Sequence, residues 1–261
     1  MRAPLIAALV LASSSAFALD PAKVKSVFGP GEQTTYEVSY LGFVAGRAQL
    51  TVGWSMEQFG HEVWPLVCLG ETTKTAAGLW PIKDRFISYW DPLEQRAVGS
   101  DFFVQENTHK HRERYQYDLS TKQAIVTRYP EGKEPWQFSF DNVAEDTRDL
   151  AAAGFSLRNV PLVVGAVHQM PIFTGVKLYQ MKATVIGRET IDSSLGEVEV
   201  YKVTVNGDFN GKLATQGLIT LYYTADEKQL PVRAEADFLF GKVLIDAVKY
   251  EQGRVYRGGA Q

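Results

Sequence analysis

The chain has 261 residues, 45% hydrophobic and 22% charged, a globular balance that excludes a disordered protein. With 27 Lys+Arg against 30 Asp+Glu, the net charge is −3, so no strong positive field draws the chain to nucleic acid. A single cysteine, Cys68, excludes an internal disulfide and leaves stability to the core.

The first eighteen residues read as a secretory signal peptide. Arg2 is followed by the apolar run Leu5 to Leu11, and Ala16-Phe17-Ala18 forms an A-x-A cleavage site. The apolar run is too short for a transmembrane helix, and no later segment is apolar enough to span a bilayer. Cleavage after Ala18 leaves residues 19–261, expected to be one β-rich domain in the periplasm. A short helix is expected over Pro21 to Val27.

The stretch GEQTTYEVSYLGFVAGRAQL, residues 31–50, reads as two strands around a tight bend. Thr34, Tyr36, Val38 and Tyr40 share one face, and Ala48, Leu50, Val52 and Trp54 resume it. That apolar face is first of all core, and secondarily the wall of a pocket. Trp64 to Leu69 is an apolar strand that buries Cys68, with nothing basic beside the thiol to activate it. In the loop TAAGLWPIKDR, residues 75–85, Leu79 and Trp80 suit either a hydrophobic lid or a packed Ω-type loop, with packing preferred.

Period-two segments continue at Phe86 to Trp90, Arg96 to Glu106, His111 to Asp118, Gln123 to Tyr129 and Trp136 to Phe140. In HKHRERY, residues 109–115, His109, His111 and Glu113 project to one face of a strand and form the weak candidate for a metal site. Lys110, Arg112 and Arg114 on the other face suit a solvated edge strand better. DTRDLAAAGFSLRNVP, residues 146–161, breaks the alternation. It predicts a short helix capped by Asp149, weakened by Gly154 and ended by Pro161, with Arg158 favoured by the dipole near its C-terminus. Alternation returns at Leu178 to Ile186, Glu197 to Asn206, Gly217 to Thr224, Pro231 to Phe240 and Lys242 to Tyr250. Tight polar turns between these strands predict an antiparallel sheet, mainly β overall. It is curved or folded into an open half barrel, with the helix around 149–158 covering its apolar face.

Catalytic signatures are missing. The chain has no G-x-S-x-G elbow and no phosphate-binding glycine loop. The carboxylate pairs Glu197/Glu199 and Glu235/Asp237 have the spacing of a water-facing strand side. No cofactor is called for. Candidate lining residues for an apolar ligand are Tyr36, Tyr40, Trp54, Leu79, Trp80 and Phe155. Glu32, Glu189 and Arg233 are expected to form ion pairs inside the sheet's mouth, and Asp226 to serve a turn.

Four groups of residues together resemble a family of exported bacterial proteins, the domain of unknown function 3108 family. The first is Phe28, Gly31-Glu32, Tyr36, Tyr40, Gly42 and Ala45-Gly46. The second is the Asp149-led helix ending in Leu157-Arg158, then Pro161, Leu162 and Gly165. Gly187, Glu189 and Gly196 form the third; Tyr222, Thr224, Asp226, Leu230 to Arg233 and Gly241 form the fourth. Gly154 and Ser156 depart from it, standing where the family more often has larger apolar or aromatic residues. The resemblance implies an exported, mostly β protein of the cell envelope and no particular reaction. The expected function is non-catalytic binding or scaffolding of a lipid, lipoprotein, glycan or envelope protein. The alternative is an envelope hydrolase or metal-dependent enzyme built around His109 and His111.

Overall fold

The computed structural model describes residues 23–118, 120–175, 177–209, 212–213, 219–238 and 241–257. The expected signal peptide, residues 1–18, lies outside the described residues. Up-and-down strands dominate. In the first half these are β1 (Lys25–Ser26), β2 (Gln33–Tyr40), β3 (Phe43–Val52), β4 (Met56–Gln58) and β5 (His61–Thr72). After the single-turn helix α1 (Lys74–Ala77) come β6 (Lys83–Asp91), β7 (Arg96–Glu106), β8 (His109–Asp118), β9 (Gln123–Pro130) and β10 (Trp136–Asp141). Helix α2 (Leu150–Ser156) and a 3-10 turn (Leu157–Asn159) divide the halves. The second half holds β11 (Val167–Phe173), β12 (Leu178–Ser193), β13 (Gly196–Phe209), β14 (Lys212–Leu213) and β15 (Ile219–Thr224). It ends with β16 (Pro231–Phe238), β17 (Gly241–Glu251) and β18 (Tyr256–Arg257).

One antiparallel sheet runs across both halves in the order β10-β9-β8-β7-β6-β5-β3-β2-β17-β16-β15-β13-β12-β11. Its seam is the pairing of β2 with β17. The sheet is mainly antiparallel and curved but does not close into a barrel. Bulges at Val38/Ser39, Tyr89/Trp90, Val185/Gly187, Tyr222/Tyr223 and Ala247/Lys249 sharpen its bend. The strand edges β10 and β11 are spanned by the segment before α2. The Arg148 N–H donates to Pro171 O at 2.9 Å, and the Phe173 N–H donates to Arg148 O at 2.8 Å.

Helix α2 sits in the hollow of the curve. Ala152 and Phe155 pack with Val24, Phe28, Val52, Trp64, Leu66 and Trp90, from the first half of the chain. Ala153 and Leu157 pack with Met170, Ile172, Val185 and Tyr223, from the second. A helix wedged between two walls needs no single apolar stripe, and α2 has none. The Phe28 ring centres the packed end, 4.7 Å from Phe155 and 5.9 Å from Trp90, centroid to centroid.

One expectation is corrected, and one strand is added. Residues 23–27 form no helix: Val24, Ser26 and Phe28 are buried alternately, a period-two pattern, and Lys25–Ser26 pair with β18. Strand β11 was not foreseen because Pro171 interrupts its alternation. A proline is tolerated there because β11 is an edge strand.

Candidate functional site

The register of the sheet sets the inner rows. From the packed end, the first row across the sheet is Val52, Leu66, Ser88, Ser100 and Tyr115. The next row toward the β2–β3 hairpin is Leu50, Cys68, Phe86 and Phe102. The row after that begins with the small residues Ala48 and Gly70. On the other wing, Leu221, Ala234 and Ile245 line up with Val38. Between these wings and α2 lies an apolar cavity of about 630 Å³, within the range of small-molecule sites. Its floor is the one face of α2 that neither wall covers: Leu150, Ala151 and Gly154. Leu150 is 68% exposed, and a Cβ at Gly154 would meet nothing within 4 Å.

Desolvation keeps the acidic groups of the lining, one thiol and three phenols, un-ionised. The Cys68 thiol is pushed up to about 12 by desolvation, with the Asp149 carboxylate adding to the shift. The half-buried Cys68 thiol is therefore protonated at pH 7 and a poor nucleophile there. Desolvation also raises Tyr36, Tyr223 and Tyr115 above the usual phenol range. The Tyr36 hydroxyl donates to Pro231 O at 2.8 Å and the Tyr223 hydroxyl to Gly154 O at 3.2 Å.

Two buried polar features hold the floor in place. Asp149 caps α2, its Oδ1 accepting from the Ala152 N–H at 2.8 Å. Desolvation raises its carboxyl to about 6, opposed by the Ala152 hydrogen bond and by Ser88. Arg158, in the turn after α2, donates through both terminal nitrogens to the two oxygens of Glu32, one bond at 3.1 Å. Its Nε donates to Lys228 O at 3.2 Å, and the Tyr250 hydroxyl donates to Glu32 at 3.3 Å. The guanidinium lies 5.1 Å from the Phe28 ring centre and 5.5 Å from that of Phe155. The pair therefore clamps the entry to β2, the end of α2 and the turn before β16.

The family profile described as "Protein of unknown function (DUF3108)" matches residues 35–248. The chain belongs to the DUF3108 family. Its fold is similar to that of a β-barrel-like protein of domain of unknown function DUF1849 from Brucella abortus, with TM-score 0.57 and 10% identity, covering 88% of this chain and 100% of that one. Weaker likenesses, both with TM-score 0.34, are to a candidate exported protein with a YmcC-like fold from Bacteroides fragilis and a candidate lipoprotein from Parabacteroides distasonis. The first is 11% identical, covering 88% of this chain and 99% of that one; the second is 12% identical, covering 87% and 99%. None of the curated proteins matches. Among the described residues, no helix is long and apolar enough to cross a membrane.

In this DUF3108 chain the sequence-derived candidates scatter. Tyr36 and Phe155 line the cavity. Tyr40 lies further along the same inner face, toward the hairpin. Trp54 falls beyond the end of β3, 60% exposed beneath the Arg254 guanidinium at 4.7 Å. Leu79 and Trp80 are 89% and 55% exposed, so the loop is not packed. Of the polar residues, only Glu32 and Arg158 meet inside. Arg233 lines the cavity on the second wing and pairs there with Asp246 at 2.5 Å, whereas Glu189 pairs with Lys202 at 3.3 Å away from it. Asp226 accepts from the Thr224 hydroxyl at 2.5 Å and the Lys228 N–H at 3.1 Å, as a turn residue does. Glu113 is taken up by Arg128 at 2.7 Å and by the Tyr115 hydroxyl, while His111 stays 3.8 Å away and His109 is exposed. Among the described residues, no three His, Cys, Asp or Glu side chains converge as metal ligands. Sequence reading passed over Cys68, Phe86, Phe102, Leu221 and Ile245 as sites. Their inner-face parity was visible, but not that the row in front of them stays unfilled.

Proposed function

We propose that this chain is an exported envelope protein that binds the apolar part of an amphipathic molecule, an acyl chain of a lipid or lipoprotein, without transforming it. The signal-peptide pattern of residues 1–18 supports export. One observation carries the binding reading: the cavity of about 630 Å³ walled by Leu50, Cys68, Phe86 and Phe102 and floored by α2. A glycan would need a dense set of free hydrogen-bonding groups, and Tyr36, Tyr223, Arg158 and Arg233 in this lining are already paired within the protein; an acyl chain needs only shape and apolar surface.

Gly154 supplies the test. Its absent side chain opens onto the cavity, so Gly154→Leu puts a branched side chain where the ligand would lie. It also replaces a poor helix former by a good one. Wild-type protein purified from its own envelope should carry a lipid-sized mass in native mass spectrometry and bind a fluorescent fatty acid. Gly154→Leu should lose both and unfold at the same temperature or higher. Wild type that carries no such mass and binds no probe would refute the proposal.

A further inference from the structure

The same end of the sheet toward which the cavity extends carries exposed apolar side chains on segments joined by hydrogen bonds. At the tip of the β2–β3 hairpin, Tyr40 pairs with Phe43, so Leu41-Gly42 is a two-residue turn with both φ positive, 51° and 81°. Such a turn calls for Asn-Gly or Asp-Gly. Here a leucine takes the left-handed position and is exposed, followed by Phe43 at 78% and an exposed Val44. A leucine in that conformation is strained, and its side chain, 58% exposed, covers the bare backbone of Gly241.

The hairpin is tied to the α1 loop. The Thr73 N–H donates to Ala45 O at 2.9 Å, and the Thr73 hydroxyl donates to Val44 O at 3.4 Å. The α1 loop presents Leu79 and Trp80 to solvent. It is tied in turn to the β7–β8 hairpin, whose Asn107 N–H donates to Pro81 O at 2.8 Å. Residues 41–45, 72–83 and 107–110 together hold Lys74, Lys83, Lys110 and His109 and no carboxylate, in a chain of net charge −3. All four of these basic side chains are exposed. The nearest carboxylates, Glu71, Asp84 and Glu106, lie one residue further into the strands, and Glu131 and Glu134 sit in the next turn along the sheet, between β9 and β10. Glu71 stands opposite Lys83 across β5 and β6, so the carboxylates are set one residue back and only the outermost residues on the α1 side are apolar and lysine-bearing.

Inside the rim the apolar surface does not stop. One inner row beyond the cavity, Ile219, Ala236, Val243, Tyr40 and Phe43 stand opposite one another across four strand pairings. This row joins the cavity wall to the exposed patch.

We infer that the α1 side of this rim, Leu41, Phe43, Leu79 and Trp80 flanked by Lys74, Lys83 and Lys110, docks on an anionic lipid bilayer, seating the apolar side chains among the acyl chains. Exposed tryptophan and leucine beside outward lysines, with the carboxylates set one residue back from the tip, is the chemistry of the interface between headgroups and tails. The inference rests on the acyl-chain reading for its purpose, loading or unloading a lipid, but not for its test.

The mature chain is sedimented with vesicles of phosphatidylcholine alone and with vesicles containing phosphatidylglycerol. Wild type should bind the anionic vesicles. Phe43→Ser/Leu79→Ser/Trp80→Ser should lower the partition at least about tenfold, and Lys74→Glu/Lys83→Glu/Lys110→Glu on the order of a hundredfold. Both variants should keep the wild-type circular dichroism spectrum and melting temperature, which shows that they fold. Gly154→Leu should bind vesicles like wild type. Wild type that stays in the supernatant overturns docking and leaves the cavity reading untouched. Binding that the substituted rims retain also overturns it, as does a wild-type dimer that the serine variant dissolves, because the patch would then serve a second copy of the chain.

Discussion

Arg158→Ala is expected to be among the most destabilising single substitutions in the protein. Arg158 and Glu32 are both buried, the guanidinium holding both carboxylate oxygens. Truncating Arg158 leaves the Glu32 carboxylate with the Tyr250 hydroxyl at 3.3 Å as its remaining side-chain donor. Removing one partner of a buried pair costs about 3–5 kcal/mol, since the other charge stays buried and uncompensated. Loss of the guanidinium over Phe28 and Phe155 adds ~1 kcal/mol. For a chain of this length ~1 kcal/mol shifts Tm by about 2–4 °C, so a fall of roughly 10–20 °C is expected. Urea unfolding of Arg158→Ala, Glu32→Leu and the Glu32→Leu/Arg158→Met double variant measures it. The double variant removes both charges and should be more stable than either single one, because most of the single-variant cost is the orphaned charge rather than the lost bond. A cost under ~1 kcal/mol for Arg158→Ala, or a double variant as unstable as the sum of the singles, would refute this reasoning.

Asp149→Asn keeps the oxygen that caps α2 and removes the charge. Because the folded carboxyl titrates near 6 and the unfolded one near 3.8, wild type should lose about 3 kcal/mol of stability as pH rises through that interval. Below it both states are protonated, and above it the penalty is constant. Denaturation curves of Asp149→Asn should coincide with wild type near pH 3.5 and lie above it at pH 7; parallel curves from pH 3.5 to 7 would contradict the assignment. The Cys68 thiol, held near 12, should react with a polar disulfide reagent at a rate rising about tenfold per pH unit through pH 7–9; a plateau near pH 8.5 would mean an ordinary, solvated thiol.

The architecture was legible because alternation is a local property. Tyr36, Val38, Ala48 and Leu50 declare their common face within a few residues, and the sheet follows from repeating that pattern between polar turns. The covering helix was legible for the same reason: Asp149 and Pro161 bracket a stretch with no period of two. The failures have local causes too. Trp54 has the right parity but stands past the end of β3. Lys25–Ser26 is too short to show a period, which left a short helix over Pro21 to Val27 as the expectation. The ion pairs were beyond reach because Glu32 and Arg158 meet across 126 residues of chain. Arg233, by contrast, finds Asp246 on its immediate strand neighbour.

Volume is what alternation cannot encode, and it decides the site. The inner face is crowded by Trp64, Trp90, Phe28 and Phe155 at one end and thinned by Ala48, Gly70, Gly154 and Ala234 at the other. A sealed, dry void of about 630 Å³ would cost ~15 kcal/mol at ~24 cal/mol per Å³, as much as the whole net stability of a typical domain. A space this large is therefore tolerable only if it communicates with solvent. The penalty is then the apolar area left wet, which a bound chain recovers at about 0.8 kcal/mol per methylene. The thinned end is thus a place where the fold forgoes stability that a larger residue at position 154 would restore. A ligand present at a hundred times its Kd would return about 2.7 kcal/mol of it, so the ligand-free protein should melt measurably below the loaded one.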